Sequence, residues 1–508
     1  MKTNVDFLLF SLPFILVGFF LIKNRFLGSL IIALGYAVGL SQFLSCKIIN
    51  QNIDLFSLLR VDLDLLYMAP AVVKMLFVKV AILTMIVFLL ICRKLMSDRC
   101  WNNICLFCKQ KVCFWYKQYK EGRINKKTKA CLAIVILAPV LFTNTAKAIQ
   151  GICAEAKEYY AYALITRDDL FQRTGSREKY VYYSDVKATK GKNIVVIYCE
   201  SLENGYFDRD MFPDLTPNLD RMKQTDLTTY TNYQNDFGAG WTIGALYATQ
   251  TSFPCLFGHN GNDIFNRIED TEIVSYAKVM KKAGYNNLFL SSANLDFSGT
   301  GKMMHMLGYE LKRFNQYDVK MSKTSWGVQD ADMFAQAKIE YSKMVESGRP
   351  FNLTLLTVDT HFPKGLPDKR LQNKIHIDMD KKPLEYCVAS LDYLIFDFYE
   401  YMKSQPGFDN TVVVILGDHP VMGSADQTPV VNLLNTKKRN IALFCNSPAK
   451  RFSSTDELGY YDIANLVLDA AGIKRNAVFL DDMLQGDIKT QVKENASLYT
   501  HLNLKLNQ

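Results

Sequence analysis

Four long apolar runs lie within the first 150 residues of this 508-residue chain, and they constrain its fold more than any other feature. Three of them reach or approach the roughly 20 residues that a helix needs to span a bilayer, and they carry few or no charges. The fourth is shorter and ends in a polar segment. A cleaved signal peptide is not expected, because the second run follows the first almost at once without a small-residue cleavage site. We therefore predict that residues 1–150 form an α-helical membrane anchor of about four spans, at residues 7–22, 26–43, 71–91 and 130–145.

The excess positive charge lies in one loop of this region. Residues 93–129 hold eleven Lys and Arg and two acidic residues, which accounts for the net charge of +9. In the rest of the chain, 48 basic residues balance 48 acidic ones. A short basic loop between two spans is typical of the cytoplasmic side, so everything after about residue 146 is expected outside the cytoplasm. A nucleic-acid-binding protein would carry its charge on the folded domain, so no nucleic-acid partner is expected.

The cysteines fall on both sides of the predicted membrane. Four of them form C-x4-C-x2-C-x4-C in the basic loop, where the spacings are unusual for a structural zinc site and reduced thiols are expected. Five lie on the outer side, which allows at most two disulfides among them and leaves the pairing open: Cys153, Cys199, Cys255, Cys387 and Cys445.

Residues 151–191 are amphipathic, charged and rich in tyrosine. This composition predicts a juxtamembrane helix that leads into a linker, and a plain solvated connector explains it equally well.

From residue 192 to residue 508, short β-branched runs alternate with helical stretches. The predicted strands lie at 193–201, 286–293, 351–358, 411–419 and 440–446. The predicted helices lie at 214–224, 243–251, 272–283, 331–346, 384–403 and 461–471. This alternation predicts an α/β domain whose mostly parallel sheet is covered on both faces.

Ionisable residues stand where several of these strands end. Glu200 follows the first strand, Asp359 and His361 follow the third, and Asp418 and His419 follow the fourth. Ligands of such sheets bind at the carboxyl ends of the strands. Carboxylates and an imidazole suit Mn²⁺ or Zn²⁺, and three protein ligands leave one position open. The alternative is that Asp418 and His419 form an ordinary hydrogen-bonded turn.

Thr242 lies directly after Gly238, Ala239, Gly240 and Trp241, at the start of a small-residue helix. Threonine is a common N-cap, and this position is typical of one. A hydroxyl at a helix N-terminus is also well placed to act as a nucleophile, because the helix amides stabilise an attached phosphoryl group. The residues alone leave both interpretations open.

Five segments together resemble the membrane-anchored phosphoglycerol transferases. That family belongs to the alkaline-phosphatase and sulfatase superfamily, with the lipoteichoic acid synthases and the lipid A phosphoethanolamine transferases. The greatest similarity is to enzymes that modify periplasmic glucans. The segments are NIVVIYCESLENGYFDRDMFPDLTPNLDRM (193–222), GAGWTIGALYATQ (238–250), WGVQDADMF (326–334), LTVDTHFPKG (356–365) and GDH (417–419).

The resemblance implies roles for particular residues. Glu200, Thr242, Asp418 and His419 would bind a divalent metal, expected to be Mn²⁺ with Zn²⁺ as the alternative, and Thr242 would also be the nucleophile. His361 would be the second catalytic residue and contact the substrate. Lys302 and Trp326 fall in segments that bind substrate in relatives. Where lipoteichoic acid synthases have a Trp-x-Arg clamp, this chain has Phe-Ser-Gly at 297–299, which favours a single transfer over polymerisation.

The function implied is transfer of phosphoglycerol from phosphatidylglycerol to a sugar hydroxyl of an extracytoplasmic glycan. The enzyme would be a multi-pass protein of the bacterial inner membrane whose catalytic domain faces the periplasm. Pro-Cys-Leu-Phe at 254–257 resembles the phosphoethanolamine branch, so a phosphoethanolamine transferase acting on lipid A or a glycan is one alternative. A phospholipid head-group phosphodiesterase is another. A sulfatase would need a formylglycine motif, which the residues after Thr242 do not form.

Overall fold

The computed structural model describes residues 164–175, 180–257, 264–423 and 428–507. From Ile165 onward these residues belong to one compact unit, Ile165–Gln508. The predicted membrane spans, the basic loop and Cys153 lie outside the described residues. Among the helices that are described, none has the length and hydropathy needed to cross a membrane.

The centre of the domain is a seven-stranded sheet. Its strands, with those of a small two-stranded sheet, are β1 (Asn193–Cys199), β2 (Thr228–Thr229), β3 (Asn232–Tyr233), β4 (Asn286–Ser291), β5 (Glu310–Leu311), β6 (Phe351–Leu356), β7 (Thr411–Gly417), β8 (Leu443–Cys445) and β9 (Glu457–Leu458). The order in the large sheet is β2-β8-β7-β1-β6-β4-β5, and β3 pairs with β9. All pairs in the large sheet are parallel except those that β8 makes with β7 and β2. The prediction of a mostly parallel sheet is therefore confirmed.

The three central strands, β6, β1 and β7, set the position of the site. Every residue of β6 and β7 is buried, and so is every residue of β1 after Asn193. Such continuous apolar, β-branched runs are expected for strands with a helix layer on each face. The register pairs Cys199 with Gly417, so the residues that follow β1 and β7 emerge side by side.

Helices cover both faces of the sheet. In chain order they are α1 (Arg167–Arg173), α2 (Pro217–Thr225), α3 (Thr242–Thr251), α4 (Ile264–Arg267), α5 (Tyr276–Lys282), α6 (Thr300–Met306), α7 (Asp330–Glu346), α8 (Pro383–Ser404), α9 (Val430–Leu434), α10 (Ile463–Ala470), α11 (Leu480–Met483), α12 (Ile488–Glu494) and α13 (Ala496–Leu506). One layer contains α2, α7 and α8, which pack on alternate residues of β1 and β7 such as Val195 and Ile415. The other contains α3, α5 and α10, and here Tyr198 of β1 hydrogen-bonds to Thr249 of α3.

Each of the six predicted helices has a counterpart in the structure, with ends that differ by up to four residues. The last predicted strand is shorter than expected, Leu443–Cys445, and runs antiparallel to β7. The helices that were not predicted are α4, α6, α9, α11, α12 and α13.

The described part of the predicted linker lies on the surface of the domain. Leu170 and Phe171 of α1 are buried, and α1 contacts α13. Further along, Ala188 pairs with Arg475 in an isolated β-bridge. The domain contacts therefore begin before residue 192.

The four described cysteines of the outer group are free thiols, and all four are buried: Cys199, Cys255, Cys387 and Cys445. Burial raises the pKa of each of these thiols, so they remain protonated. They act as small apolar side chains of the core.

Candidate active site and metal centre

The carboxyl ends of β1 and β7 bring together the residues predicted to bind metal. Glu200 follows β1, and Asp418 and His419 follow β7. One ligand atom from each of these three residues lies within 4.8 Å of the others, and all three side chains are buried. His419 Nε2 is 3.5 Å from Glu200 Oε1 and 3.5 Å from Asp418 Oδ2. The strand register produces this cluster, because neighbouring parallel strands end at the same edge.

Thr242 completes the cluster from the start of α3. Its hydroxyl donates to Glu200 Oε2 at 3.3 Å and lies 3.2 Å from His419 Nε2. Thr242 is not the N-cap of α3, since Trp241 occupies that position and makes no side-chain cap. The hydroxyl of Thr242 is thus directed at the carboxylate and the imidazole instead of the helix amides.

The start of α3 leaves amide groups available beside this hydroxyl. The first hydrogen bond of the helix runs from the amide of Ala245 to Trp241 O at 2.8 Å. The amides of Thr242, Ile243 and Gly244 therefore have no acceptor within the helix. Together with the helix dipole they form a site suited to an anion.

A tight turn carries the chain into α3. Gly238 has φ +75°, which residues with a side chain rarely adopt, and a Cβ at Gly240 would lie 2.7 Å from Asn235 Nδ2. The Tyr461 hydroxyl donates to Phe237 O at 2.6 Å and fixes the turn from outside. The backbone conformation therefore favours glycine at position 238, and a side chain at position 240 would displace the Asn235 amide group.

The two carboxylates and the imidazole perturb one another. Burial, and then repulsion from Glu200, raise the pKa of Asp418 to about 7. Burial acts to raise the pKa of Glu200, but attraction to His419 and the hydrogen bond from Ser201 are among the effects that lower it overall. Burial acts to lower the pKa of His419, and the neighbouring carboxylates outweigh it and raise this pKa. The cluster thus concentrates negative charge in a buried place, where a cation would offset it.

Hydrogen bonds orient the ligand atoms toward the centre of the cluster. His419 Nδ1 lies 2.9 Å from Pro420 O, and a proton on Nδ1 leaves the lone pair of Nε2 facing Thr242. Asp418 Oδ1 accepts from the amides of Ser201 at 2.7 Å and His419 at 2.8 Å. Asp418 Oδ2 is buried and has no hydrogen-bond partner among the described residues.

This unpaired carboxylate oxygen is the observation that tests whether a metal fits. A buried carboxylate oxygen without a donor is costly, and a bound cation would satisfy it. The donor set of two carboxylates, one imidazole nitrogen and one hydroxyl suits Mn²⁺ or Zn²⁺. The described residues therefore form a possible metal-binding triad, Glu200, Asp418 and His419, with Thr242 beside it.

His361 and Trp326 lie in contact with each other. Their rings are 4.4 Å apart at an angle of 35°, and Trp326 also packs edge-on against Phe297 at 5.2 Å. His361 Nδ1 is 2.9 Å from Phe362 O, which leaves Nε2 available to a substrate. His361 is close enough to Glu200 to contribute to the lowering of its pKa.

Lys302 is exposed on α6, and its ammonium group donates to Asn266 O at 3.1 Å. The structure therefore brings His361 and Trp326 together, and it places Lys302 in a separate contact with Asn266.

A pair of buried aspartates joins the loops that carry His361 and Trp326. Asp330 accepts from the amides of Val358 at 2.8 Å and Asp359 at 3.1 Å. In return, the amide of Asp330 donates to Asp359 Oδ2 at 2.8 Å. We call these three hydrogen bonds the aspartate clamp. Asp359 was recognised in the sequence only as a polar strand end, and the role of Asp330 was not predicted.

Other groups that support the site were also missed in the sequence. The Ser201 hydroxyl donates to Glu200 Oε1 at 2.7 Å, and Ser201 has φ +55°. Thr357 Oγ1 accepts from the Glu200 amide at 3.0 Å, and the Tyr460 hydroxyl donates to Asp418 O at 2.6 Å. Ser201 could have been suspected from its place next to Glu200. For Tyr460 the sequence offers no signal.

The part of the chain that contains this site is similar to known proteins. The sulfatase family model matches residues 192–429, which include Glu200, Thr242, His361, Asp418 and His419. Phosphoglycerol transferase I of Citrobacter koseri is 31% identical over 287 residues, which is 54% of this chain and 36% of that protein. The protein of the same name from Escherichia coli is 30% identical over 284 residues, with the same coverage of each chain. This chain thus spans little more than a third of the length of these curated relatives.

A solved structure shares the fold at low sequence identity. It is the integral membrane protein lipooligosaccharide phosphoethanolamine transferase A (EptA) from Neisseria meningitidis, with a TM-score of 0.53 and 12% identity. The match covers 96% of this chain and 92% of that one. Residues 192–429 of this chain thus match the sulfatase family model, and 54% of the chain is similar in sequence to part of a phosphoglycerol transferase I.

Proposed function

We propose that this protein transfers phosphoglycerol from phosphatidylglycerol to a sugar hydroxyl of an extracytoplasmic glycan, with Thr242 as the nucleophile. The observation that carries the proposal is the Thr242 hydroxyl, 3.3 Å from Glu200 Oε2 and 3.2 Å from His419 Nε2 at the start of α3. The similarity to phosphoglycerol transferases I supports the choice of phosphoglycerol. Sulfate ester hydrolysis is not proposed, because sulfatases use a formylglycine derived from Cys or Ser and this chain has Thr242 at the start of α3.

Glu200, Thr242, Asp418 and His419 would together hold a divalent cation, with Mn²⁺ expected and Zn²⁺ as the alternative. When bound, such a cation lowers the pKa of a coordinated hydroxyl and offsets negative charge that develops on a phosphoryl group. The unpaired Asp418 Oδ2 supports this assignment.

In the first step, the Thr242 oxygen attacks the phosphorus of the phosphodiester. The Thr242 hydroxyl donates to Glu200 Oε2 at 3.3 Å, and this carboxylate oxygen takes the proton. The bond from phosphorus to the diacylglycerol oxygen breaks, and this oxygen takes up a proton from solvent. Diacylglycerol leaves, and phosphoglycerol remains esterified to Thr242.

In the second step, a sugar hydroxyl attacks the same phosphorus. His361 now takes the proton of that hydroxyl, and the Thr242 oxygen leaves and recovers its own proton. The free amides of Thr242, Ile243 and Gly244 stabilise the phosphoryl oxygens in both steps. Trp326 holds the His361 ring from one side. Lys302 would contact the substrate after leaving Asn266 O, as the resemblance implies.

We also propose that residues 1–150 anchor the domain in the bacterial inner membrane and that residues 93–129 are cytoplasmic. Residues 151–191 would connect the anchor to residues 192–508, which would face the periplasm. The likeness to an integral membrane protein over 96% of this chain supports an anchored arrangement. Anchoring would keep the site beside a lipid donor that cannot leave the bilayer.

The test is detection of the covalent intermediate. The full chain in detergent, with Mn²⁺ or Zn²⁺, is incubated with phosphatidylglycerol or phosphatidylethanolamine and analysed by mass spectrometry. A phosphoglycerol adduct on Thr242 is expected, and it should accumulate in His361→Ala, which lacks the base of the second step. The control variant Thr242→Ala should show none, whereas Thr242→Ser keeps a hydroxyl and should show some.

Three outcomes would contradict the proposal. An adduct from phosphatidylethanolamine alone would make the protein a phosphoethanolamine transferase, which the fold likeness to EptA favours. Release of soluble head group without labelling of any added glycan would make it a phosphodiesterase. No adduct with either lipid, even in His361→Ala, would exclude Thr242 as the nucleophile.

A further inference from the structure

A cavity of about 700 Å³ opens beside the loop that carries His361. Its wall begins at Pro363, two residues after His361, and continues through Lys364 and Gly365. The rest of the lining comes from the start of α8 and the chain just before it, and from residues 428–430 at the start of α9. This volume lies within the range of small-molecule sites, roughly 300–1,000 Å³.

The loop that forms this wall of the cavity is hydrogen-bonded to the segment that carries His361. The amide of Gly365 donates to His361 O at 2.9 Å, and the amide of Leu366 donates to Asp359 O at 2.7 Å. A Cβ at Gly365 would lie 2.5 Å from Cys387 Sγ, so the loop is packed tightly against α8. A ligand in the cavity would therefore be held in a fixed relation to His361.

The lining combines both signs of charge with apolar surface. Three lysines can donate hydrogen bonds and two carboxylates can accept them: Lys364, Lys369, Lys381, Asp380 and Glu385. Lys381 is also paired with Asp378 at 3.2 Å. Prolines supply rigid apolar surface, namely Pro363, Pro367, Pro383 and Pro429.

We propose that this cavity binds the acceptor as an uncharged, polyhydroxylated sugar segment and presents one of its hydroxyls to His361. Sugar hydroxyls both donate and accept, so they match a lining of ammonium groups and carboxylates, while sugar C–H faces pack on proline rings. The two carboxylates offset two of the three lysines, so the lining has little net charge and attracts an anionic ligand only weakly. This inference rests on the proposed function, which supplies the reaction at His361.

The experiment compares two fates of the donor head group, hydrolysis by water and transfer to sugar. The full chain in detergent is given phosphatidylglycerol with radiolabelled glycerol and a soluble β-linked glucose tetrasaccharide. The variants are Lys364→Ala and Glu385→Ala. Each removes one hydrogen bond to the sugar from a charged group, so the KM for the tetrasaccharide should rise about tenfold, and the ratio of transfer to hydrolysis should fall by a similar factor.

The matched control is Lys474→Ala. Lys474 is also an exposed lysine that lines a cavity, but it lies at the opposite end of β1 from Glu200, since the amide of Thr189, just before β1, donates to Lys474 O at 2.9 Å. It should leave the ratio of transfer to hydrolysis as in the wild type. Unchanged ratios in both cavity variants would overturn the inference, and so would a wild type that cleaves the donor but labels only anionic glycans. A wild type that does not cleave the donor at all would instead refute the proposed function.

Discussion

The aspartate clamp allows a prediction about how His361 is held in place. In Asp330→Ala the buried amides of Val358 and Asp359 lose their acceptors, which lie at 2.8 and 3.1 Å in the wild type. An unsatisfied buried group costs about 1–3 kcal/mol, so the free energy of unfolding should fall by about 2–6 kcal/mol. Asp330→Asn keeps one acceptor oxygen, so about 1–3 kcal/mol should be lost.

The same change should reduce catalysis beyond its effect on stability. Val358 and Asp359 lead directly to His361, and a shift of about 1 Å in a reacting group can lower the rate about 100-fold. We therefore expect kcat of phosphoglycerol transfer in Asp330→Asn to fall by about two orders of magnitude at a temperature where the variant is still folded. Unfolding is followed by circular dichroism in urea, and transfer by radiolabelled phosphatidylglycerol.

A matched variant separates positioning from stability. Asp392 of α8 is also a buried aspartate, and it caps α2 by accepting from the amides of Asn218 at 3.1 Å and Leu219 at 2.7 Å. Asp392→Asn should lose comparable stability and retain kcat. If Asp330→Asn loses no more activity than Asp392→Asn at an equal folded fraction, the clamp does not position His361.

Three further predictions concern stability and packing. In Gly417→Ala the added Cβ would lie 2.0 Å from Leu202 O, so β7 must shift at its end. Both the urea midpoint of unfolding and the rate of transfer should therefore fall. A wild-type transfer rate would contradict this geometry. The four described cysteines are buried free thiols, so a maleimide should label them only after unfolding in urea, and fast labelling in native buffer would show that these sites open. Burial raises the pKa of Asp392 from 3.8 to about 6, so the folded state keeps a proton that the unfolded state releases as pH rises between these values. The contribution of Asp392 to the free energy of unfolding is complete below pH 4 and falls by about 3 kcal/mol as pH rises through 6. In urea titrations, the stability difference between wild type and Asp392→Asn should therefore decrease over that interval. A constant difference would contradict the raised pKa.

Much of the sheet could be predicted because its central strands have a strong signal. The strands β1, β6 and β7 are continuous apolar runs, as burial on both faces requires. The antiparallel direction of β8 could not be predicted, since an apolar run has the same composition in either direction. The two-residue strands, such as β5, are too short to have a pattern.

The site was predictable to the extent that it follows the strand ends. Glu200, Asp418 and His419 were found because ligands gather at the carboxyl edge of a parallel sheet. Pattern alone could not decide the role of Thr242, and the structure shows that its hydroxyl is not a helix cap. Asp330 lies in the segment 326–334 that resembles the family. Its role depends on hydrogen bonds from the amides of Val358 and Asp359, which only the folded chain brings close.

The pairing of β1 with β7 also determines when the candidate metal centre can form during synthesis. Ser201 and Asp418, which join the ends of these strands, are 217 residues apart in the chain. A chain still being made can hold Glu200 and Thr242 long before Asp418 and His419 emerge, and contacts between such distant segments form only late in folding. An unfinished chain would therefore have the proposed nucleophile, Thr242, without two of the residues proposed to activate it. Under the proposed function, the lipids around a growing chain would be protected from cleavage until the sheet is complete.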